Sequence, residues 1–333
     1  MKVAFNICLI LAASFICLLG FEALTRLVLD DGMLYELEMW KYAREVKVRD
    51  LQPDLGHRHR PKADAQLMGV DVRTDSHGLR GAEIPATTQE GVARIAFVGD
   101  STTMGWGVAE KDTFARQVLD LLAKAGRKVD GFNLGVGNYN TLQELTLFRE
   151  VGAGLKPDVV VLSYFINDAE PMPNYAENGW LTEHSAAWVV LTYRVDSVFR
   201  QFGDVPDWRH YYRNLYEPKA PGWLVTQKAL ADFAVEAKKI DAKLLVFNIP
   251  ELRELKPYPF ADITDKVRKV VEAQGVPFYD LLPGMENLDP RTLWVTVPDP
   301  HPNANAMTAI SKDMVARLLP VLDELCRTKG KGC

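Results

Sequence analysis

The stretch Ile95-Ala96-Phe97-Val98-Gly99-Asp100-Ser101 decides the fold expected for this chain. Its four apolar residues predict a buried β-strand, and the Gly-Asp-Ser that follows predicts a tight turn into a helix. In an α/β sheet the carboxyl ends of the strands hold the ligand or the reacting groups. Ser101 is therefore a candidate nucleophile, placed where the backbone N–H groups of a helix start converge.

Gly-Asp-Ser alone is a common turn, but three further segments supply groups that an activated serine requires. Phe132–Thr141 follows a predicted strand and leads into a helix. Tyr164–Asp168 ends another apolar strand, and Asp299–Asn303 lies just before the last predicted helix. The second of these segments supplies the side-chain amide of Asn167. The third supplies the imidazole of His301 and the carboxylate of Asp299.

These four segments, in this order and spacing, resemble the SGNH hydrolases, also called the GDSL-like esterases and lipases, over residues 90–325. The resemblance implies an α/β fold, a flavodoxin-like three-layer α/β/α sandwich with a mostly parallel five-stranded sheet. It also implies that Ser101 is the nucleophile and His301 the general base. The implied oxyanion hole consists of the Ser101 backbone N–H, a backbone N–H from Phe132–Thr141 and the Asn167 side chain.

The chain departs from the family pattern at two positions. Asn138 occupies the usual place of the oxyanion glycine, with Gly137 one residue earlier, so either backbone N–H is a candidate donor. Asparagine tolerates left-handed backbone angles better than most residues. Pro298 stands where the triad aspartate usually lies, which leaves Asp299 as the only nearby carboxylate. Either Asp299 orients His301, or a backbone carbonyl does so in a Ser-His dyad.

Apolar strands that alternate with amphipathic helices favour a parallel sheet covered on both faces. A capping-box pattern of Thr141 and Glu144 marks one helix start. We predict strands near 94–99, 129–134, 158–165, 243–249 and 276–280. We predict helices near 112–125, 141–152, 224–239, 261–274 and 303–325.

The amino terminus predicts a membrane helix. No charged residue lies between Val3 and Phe21, and this length spans a bilayer core. Lys2 precedes the run and acidic residues follow it, which favours a cytoplasmic amino end and a catalytic domain outside the cytoplasm. We expect a single-pass protein of the bacterial inner membrane with a periplasmic domain. A cleaved signal peptide is the alternative, although Gly20–Leu24 makes a poor cleavage site.

We divide the chain into an anchor at 1–29, a lead-in segment at 30–90 that packs on the core, a hydrolase domain at 91–326 and a tail at 327–333. In the lead-in segment, Leu34–Val48 predicts a helix. His57 and His59 have the spacing of a metal pair on a strand, but no third ligand is apparent, so neither a metal nor a cofactor is expected. Cys326 and Cys333 form a short-loop disulfide or remain free thiols.

An aromatic-rich insertion at 169–223 interrupts the alternation of strands and helices. Such a long insertion after a catalytic strand is a candidate lid or substrate wall. Aromatic faces suit a sugar ring, so we name Trp180 and Trp208 as candidate substrate-binding residues. Alternatively these aromatics, Tyr175 among them, form a small local core.

The sequence thus predicts a membrane-anchored serine esterase that cleaves acyl esters, with O-acetyl groups on a cell-surface or exported polysaccharide as substrate. The alternatives are a polysaccharide O-acyltransferase with the same Ser-His site, a lipid or lysophospholipid esterase, and a catalytically silent carbohydrate-binding or assembly protein. The expected partners are an acylated carbohydrate and the membrane. A net charge of -5 gives no basic footprint for nucleic acid.

Overall fold

The computed structural model describes residues 2–173, 179–202, 207–297 and 299–333; for residues 200–202 it describes the backbone alone. Tyr175 and Pro298, singled out above, lie outside the described residues. The strands, numbered along the chain, are β1 Lys47–Arg49, β2 His57–His59, β3 Asp64–Leu67, β4 Val70–Arg73, β5 Ala93–Gly99, β6 Val129–Asn133, β7 Val159–Tyr164, β8 Lys243–Asn248, β9 Phe278–Asp280, β10 Trp294–Thr296 and β11 Asp299–Pro302. The α-helices are α1 Lys2–Leu24, α2 Tyr35–Lys41, α3 Ser101–Met104, α4 Phe114–Lys124, α5 Thr141–Leu147, α6 Trp180–His184, α7 Ala186–Phe202, α8 Trp208–Leu215, α9 Pro221–Lys239, α10 Ala261–Glu272 and α11 Ala304–Lys329.

Five parallel strands form the central sheet, in the order β6-β5-β7-β8-β9. The strand order reverses at β5, because the chain passes from β5 to one neighbour, β6, and later returns to the other, β7. Ligands bind at such a reversal in open α/β sheets. The strands that precede Ser101 and Asn167 are therefore neighbours at the position where a site is expected.

Two hydrophobic cores cover the two faces of the sheet. Side chains of α5, α9 and α10 pack on one face and those of α4 and α11 on the other. Along β5 the residues alternate between the two cores, as in Ala96 and Val98 against Ile95 and Phe97. Both faces are thus buried, which explains the continuous apolar runs of the strands. The three-layer α/β/α prediction is confirmed.

The lead-in segment has more regular structure than the sequence suggested. The helix predicted over Leu34–Val48 ends early: α2 is followed by a π-helical turn at Tyr42–Val46 and then by β1. β1 pairs with β2, and β3 pairs with β4, as two small antiparallel ladders. The β-branched residues Val46 and Val48, together with pairing to β2, favour the strand over a longer helix.

The structure corrects the predicted cap of one helix and decides between the two states expected for the carboxyl-terminal cysteines. The capping box at α5 lies one residue earlier than predicted: Asn140 is the N-cap and exchanges hydrogen bonds with Gln143. Thr141 and Glu144 are buried in the first turn instead. Cys326 and Cys333 form a disulfide that ties the end of α11 to the last residue of the chain.

The segment after β6 crosses very close to α3. A Cβ added at Gly135 would lie 2.0 Å from the Met104 backbone nitrogen and 2.5 Å from the Thr103 carbonyl carbon. We predict that Gly135→Ala lowers the free energy of unfolding by about 1–3 kcal/mol, because backbone atoms must shift. Denaturant unfolding measures this change.

Gly154→Ala is the matched control, since nothing lies within 4 Å of its added Cβ. Its effect should stay within about 0.5 kcal/mol. Equal stability of the two variants would show that α3 and the segment after β6 do not need this close approach.

Candidate active site

Ser101 begins α3 directly after β5, and Asp100 is the N-cap of this helix. The Asp100 carboxylate accepts a hydrogen bond from the Thr102 backbone N–H at 2.9 Å, which fixes the turn. Ser101 is 9% exposed and lines a cavity of about 330 Å³ at the carboxyl edge of the sheet. The serine hydroxyl is thus accessible at the mouth of the turn.

His301 and Asp299, on β11, complete a hydrogen-bonded chain from the Ser101 hydroxyl. The Ser101 Oγ lies 2.9 Å from His301 Nε2, and His301 Nδ1 contacts an Asp299 oxygen. The other Asp299 oxygen accepts the indole N–H of Trp106 at 2.7 Å. Burial raises the pKa of Asp299. Hydrogen bonds from His301 and Trp106 and the charge of His301 lower it by more than burial raises it, so the pKa lies below its usual value.

Asn167 lies in a 3₁₀ turn, Ile166–Ala169, that follows β7. It lines the same cavity as Ser101 and His301. Within the described residues its Oδ1 atom has no hydrogen-bond partner. The two loops after the neighbouring strands β5 and β7 thus meet at one point, as the sequence predicted from the strand ends.

Gly137 and Asn138 differ in what their backbone N–H groups contact. The Gly137 N–H donates to the Tyr42 hydroxyl at 2.8 Å. Asn138 has a left-handed backbone with φ +68°. Among the residues that the structure describes, no acceptor takes its N–H, and Asn138 lines the cavity beside Ser101. The Asn138 N–H is therefore the group available to a ligand.

The lead-in segment holds this Gly137–Asn138 loop, which sequence reasoning missed. The Tyr42 hydroxyl, which accepts the Gly137 N–H, lies at hydrogen-bond distance, 2.6 Å, from His59 Nε2. His57 Nε2 lies 3.0 Å from the Gly137 carbonyl oxygen. The Lys47 ammonium donates to Asn138 Oδ1 at 2.7 Å. The sequence signal for this role was the spacing of His57 and His59, which are two residues apart on one strand, so that both imidazoles lie on the same side of it.

Burial keeps His57 and His59 uncharged at neutral pH. It lowers the pKa of both histidines to about 3, with a further lowering by the Lys47 charge. It also lowers the pKa of Lys47 to about 7. A neutral imidazole carries one N–H donor and one acceptor nitrogen, so His59 forms a neutral hydrogen bond with the Tyr42 hydroxyl. The two histidines thus fix a loop rather than bind a metal.

Another group of side chains that could bind a metal lies in the lead-in segment. Ligand atoms of Asp75, His77 and Glu83 lie within 4.8 Å of one another at an exposed turn. Glu83 already accepts hydrogen bonds from Ser76. Hydrogen bonds of this kind are typical of a turn.

The aromatic insertion lines the cavity through other residues than those predicted. Trp208 packs edge-on against Phe260, away from the cavity lining. Trp180 is 70% exposed and lines a neighbouring cavity of about 920 Å³, which shares Asn138 with the first. The rings that line the Ser101 cavity are Tyr35, Tyr42, Trp106, Phe165, Tyr193 and Tyr212. The structure thus brings Ser101, His301, Asp299, Asn167, Gly137 and Asn138 together, but not Trp180 or Trp208.

A cluster of buried acids lies behind the site. Burial raises the pKa of Asp100, and it raises the pKa of Glu144 and Asp168 well above their usual values. Neither Glu144 carboxyl oxygen has a hydrogen-bond partner among the described residues. A neutral carboxylic acid at Glu144 avoids the cost of an unpaired buried charge.

Comparison with known proteins places these features in a family. The sequence model of the GDSL-like lipase/acylhydrolase family matches residues 97–309. No match was found by sequence among curated proteins. Similar solved structures include TesA, with 16% identity over 68% of this chain and 98% of that chain (TM-score 0.45). An acetylxylan esterase from Geobacillus stearothermophilus has 16% identity over 68% and 95% of the two chains (TM-score 0.44), and a lipase/acylhydrolase from Enterococcus faecalis has 13% identity over 68% and 95% (TM-score 0.44).

The raised pKa of Glu144 predicts a pH-dependent stability. Between the unfolded pKa of about 4.3 and the higher folded pKa, the folded protein binds more protons, so stability falls as pH rises. Each such group contributes up to about 1.4 kcal/mol per pH unit in that window. We predict that Glu144→Gln reduces this loss, measured as the free energy of unfolding at pH 4.5 and pH 7.

Glu90→Gln, at an exposed position, serves as control and should follow the wild-type pH dependence. If Glu144→Gln also follows the wild type, Glu144 is charged in the folded protein and the pH-dependent loss of stability has another source.

Proposed function

This chain belongs to the GDSL-like lipase/acylhydrolase family, and we propose that it cleaves short acyl esters, above all O-acetyl esters of carbohydrates, through an acyl-enzyme on Ser101. Membership of the family makes it a serine ester hydrolase. The observation that carries the assignment of the nucleophile is the 2.9 Å contact between Ser101 Oγ and His301 Nε2. A serine hydroxyl is a poor nucleophile until a positioned base takes its proton.

In the proposed reaction His301 moves one proton twice. As Ser101 Oγ bonds to the ester carbonyl carbon, its proton passes to His301 Nε2. The bond to the alcohol oxygen then breaks, and His301 returns the proton to that oxygen. Water repeats the sequence on the acyl-enzyme and releases the carboxylic acid. Asp299, on Nδ1, holds the imidazole in the tautomer that accepts at Nε2 and steadies the imidazolium.

We assign the oxyanion hole to the backbone N–H groups of Ser101 and Asn138 and to the side-chain amide of Asn167. Gly137 is excluded as a ground-state donor because its N–H is engaged by Tyr42. A lost oxyanion donor costs about 3–4 kcal/mol of transition-state stabilisation, so a fixed loop matters for the rate. Tyr42, His57 and Lys47 are then positioning residues for Asn138.

The cavity favours a small acyl group on a sugar over a long acyl chain. Its volume is about 330 Å³, and Tyr35, Tyr193 and Tyr212 line it. Tyrosine combines a flat apolar face for a sugar ring with a hydroxyl for hydrogen bonds. These features support an acetylated carbohydrate over a lipid ester.

We further propose that residues 1–29 anchor the protein and that the domain lies outside the cytoplasm, in the bacterial periplasm. The apolar helix Lys2–Leu29 has a mean hydropathy of 2.5 in its most apolar window, none of it buried. The Cys326–Cys333 disulfide is compatible with an oxidising compartment. The division into lead-in 30–90, hydrolase domain 91–326 and tail 327–333 remains part of this proposal.

The test compares variants on p-nitrophenyl acetate and on an acetylated oligosaccharide. Ser101→Ala and His301→Ala should abolish turnover and labelling by a fluorophosphonate probe without loss of folding. Asp299→Asn should lower kcat by roughly 10²–10⁴-fold, because the wrong tautomer of His301 is then favoured.

Ser76→Ala, at an exposed serine of the lead-in segment, is the control and should leave turnover unchanged. Wild-type turnover by Ser101→Ala would refute the nucleophile, and a loss below about threefold for Asp299→Asn would reduce Asp299 to a turn residue. Acetate release that requires an added glycan acceptor would indicate an acyltransferase at the same site.

Tyr42→Phe tests the positioning of Asn138. The variant removes the acceptor of the Gly137 N–H and the hydrogen bond to His59, while the ring that packs on Gly137 stays. We predict a fall in kcat of about tenfold, corresponding to about 1–1.5 kcal/mol, with KM and melting temperature little changed. Tyr279→Phe, on β9 and outside the cavity lining, is the control. A parallel fall in both variants, or none in Tyr42→Phe, would contradict the assignment.

A further inference from the structure

Helix α7 in the aromatic insertion has an apolar stripe that faces solvent. The members of the stripe follow one another at steps of three and four residues, with one adjacent pair, which places them on one face of the helix. They are exposed by 38–72%, and they are Trp188, Leu191, Val195, Val198 and Phe199. Scattered exposed apolar residues are ordinary, but a continuous stripe of this kind indicates an interaction surface.

The opposite side of α7 already packs on the protein. Ala186 and Val190 are buried in a cluster with Leu37 of α2. Arg194 pairs with Glu36 at 3.1 Å. The stripe is therefore not the core-facing side of the helix, and within the described residues nothing covers it.

The start of α7 is fastened to the end of the apolar amino-terminal helix. The Glu22 carboxylate accepts the Ser185 hydroxyl at 2.7 Å and the backbone N–H groups of Ala186 and Ala187 at 3.0 Å each. A carboxylate at this position satisfies free N–H groups of the first turn of α7. In addition, Arg26 donates to the His184 carbonyl oxygen at 3.0 Å. The stripe thus begins where the proposed membrane span ends.

An aromatic and cationic group surrounds the same junction. The Trp40 indole N–H donates to the Thr182 carbonyl oxygen at 2.6 Å. The guanidinium groups of Arg44 and Arg26 lie 4.4 and 5.6 Å from the Trp40 ring. Tryptophan and arginine are the residues that favour the boundary between lipid headgroups and acyl chains.

We propose that the α7 stripe rests in the headgroup–acyl boundary of the same bilayer that α1 spans. The occupant of this surface is lipid, because the stripe is continuous with the apolar helix and flanked by interfacial residues. An amphipathic helix held in the interface by its apolar face is a known mode of membrane association. The proposal rests on the anchor proposed above for residues 1–29.

Docking of α7 would place one wall of the Ser101 cavity at the bilayer. Tyr193, on the side of α7 away from the stripe, lines that cavity. The depth of α7 in the interface would then fix the height of the cavity above the lipid.

The test uses the full chain in phospholipid nanodiscs with nitroxide labels on single cysteines. Label positions are Leu191→Cys and Val198→Cys on the stripe and Asp196→Cys on the polar side, each with Cys8→Ser and Cys17→Ser. Cys326 and Cys333 are disulfide-bonded and do not react. Collision rates with oxygen, which concentrates in lipid, and with an aqueous nickel complex measure depth. Turnover of p-nitrophenyl acetate by each labelled variant checks the fold.

We expect labels at 191 and 198 to collide at least threefold more often with oxygen than with the nickel complex, and the label at 196 to show the reverse. A separate sample labelled at the native Cys17, with Cys8→Ser, reports on the anchor. If Cys17 lies in lipid but 191 and 198 are as aqueous as 196, the docking proposal is overturned and the anchor stands. If Cys17 itself is aqueous, the anchor fails and the docking proposal fails with it.

Discussion

The buried Asp299 carboxylate organises the site, because its charge must be paired once the fold has removed it from water. Both of its oxygens are taken, one by the His301 imidazole and the other by the Trp106 indole. This pairing directs His301 Nε2 toward Ser101 and leaves no freedom for another ring orientation. The family's usual aspartate position is not required for this geometry, since Asp299 and His301 lie on the same strand, β11, and contact each other directly.

The second constraint is that the loop after β6 must present Asn138 to the same cavity. The core does not fix this loop by itself; the lead-in segment does, through Tyr42 and two neutral histidines. Arg80 of the same segment donates to the carbonyl oxygens of Met104 and Val108 and so holds the end of the short helix that starts at Ser101. The lead-in segment therefore acts as part of the scaffold of the proposed active site.

Sequence patterns predicted what depends on local periodicity and on strand ends. The five strands and the helices that cover them follow from apolar runs and amphipathic stripes, and the places of Ser101 and Asn167 at the sheet edge follow from the strands that precede them. The predictions that were wrong concern features that depend on contacts between residues far apart in the sequence. The pairing of β1 with β2 shortened the predicted helix, and packing on Phe260 removed Trp208 from the cavity. The roles of Tyr42 and His57 could not be seen, because their partner Gly137 is about eighty or more residues away. His59 contacts this loop only through Tyr42.

The most direct measurement is a crystal structure of the phosphonate adduct, in which a tetrahedral phosphorus mimics the acyl-transfer transition state. The account predicts phosphorus bonded to Ser101 Oγ, with the phosphoryl oxygen accepting from the backbone N–H groups of Ser101 and Asn138 and from Asn167 Nδ2, at about 2.7–3.1 Å. Gly137 N–H should remain on Tyr42. A phosphorus on another residue, or a phosphoryl oxygen bound by Gly137 N–H with Tyr42 displaced, would contradict the account.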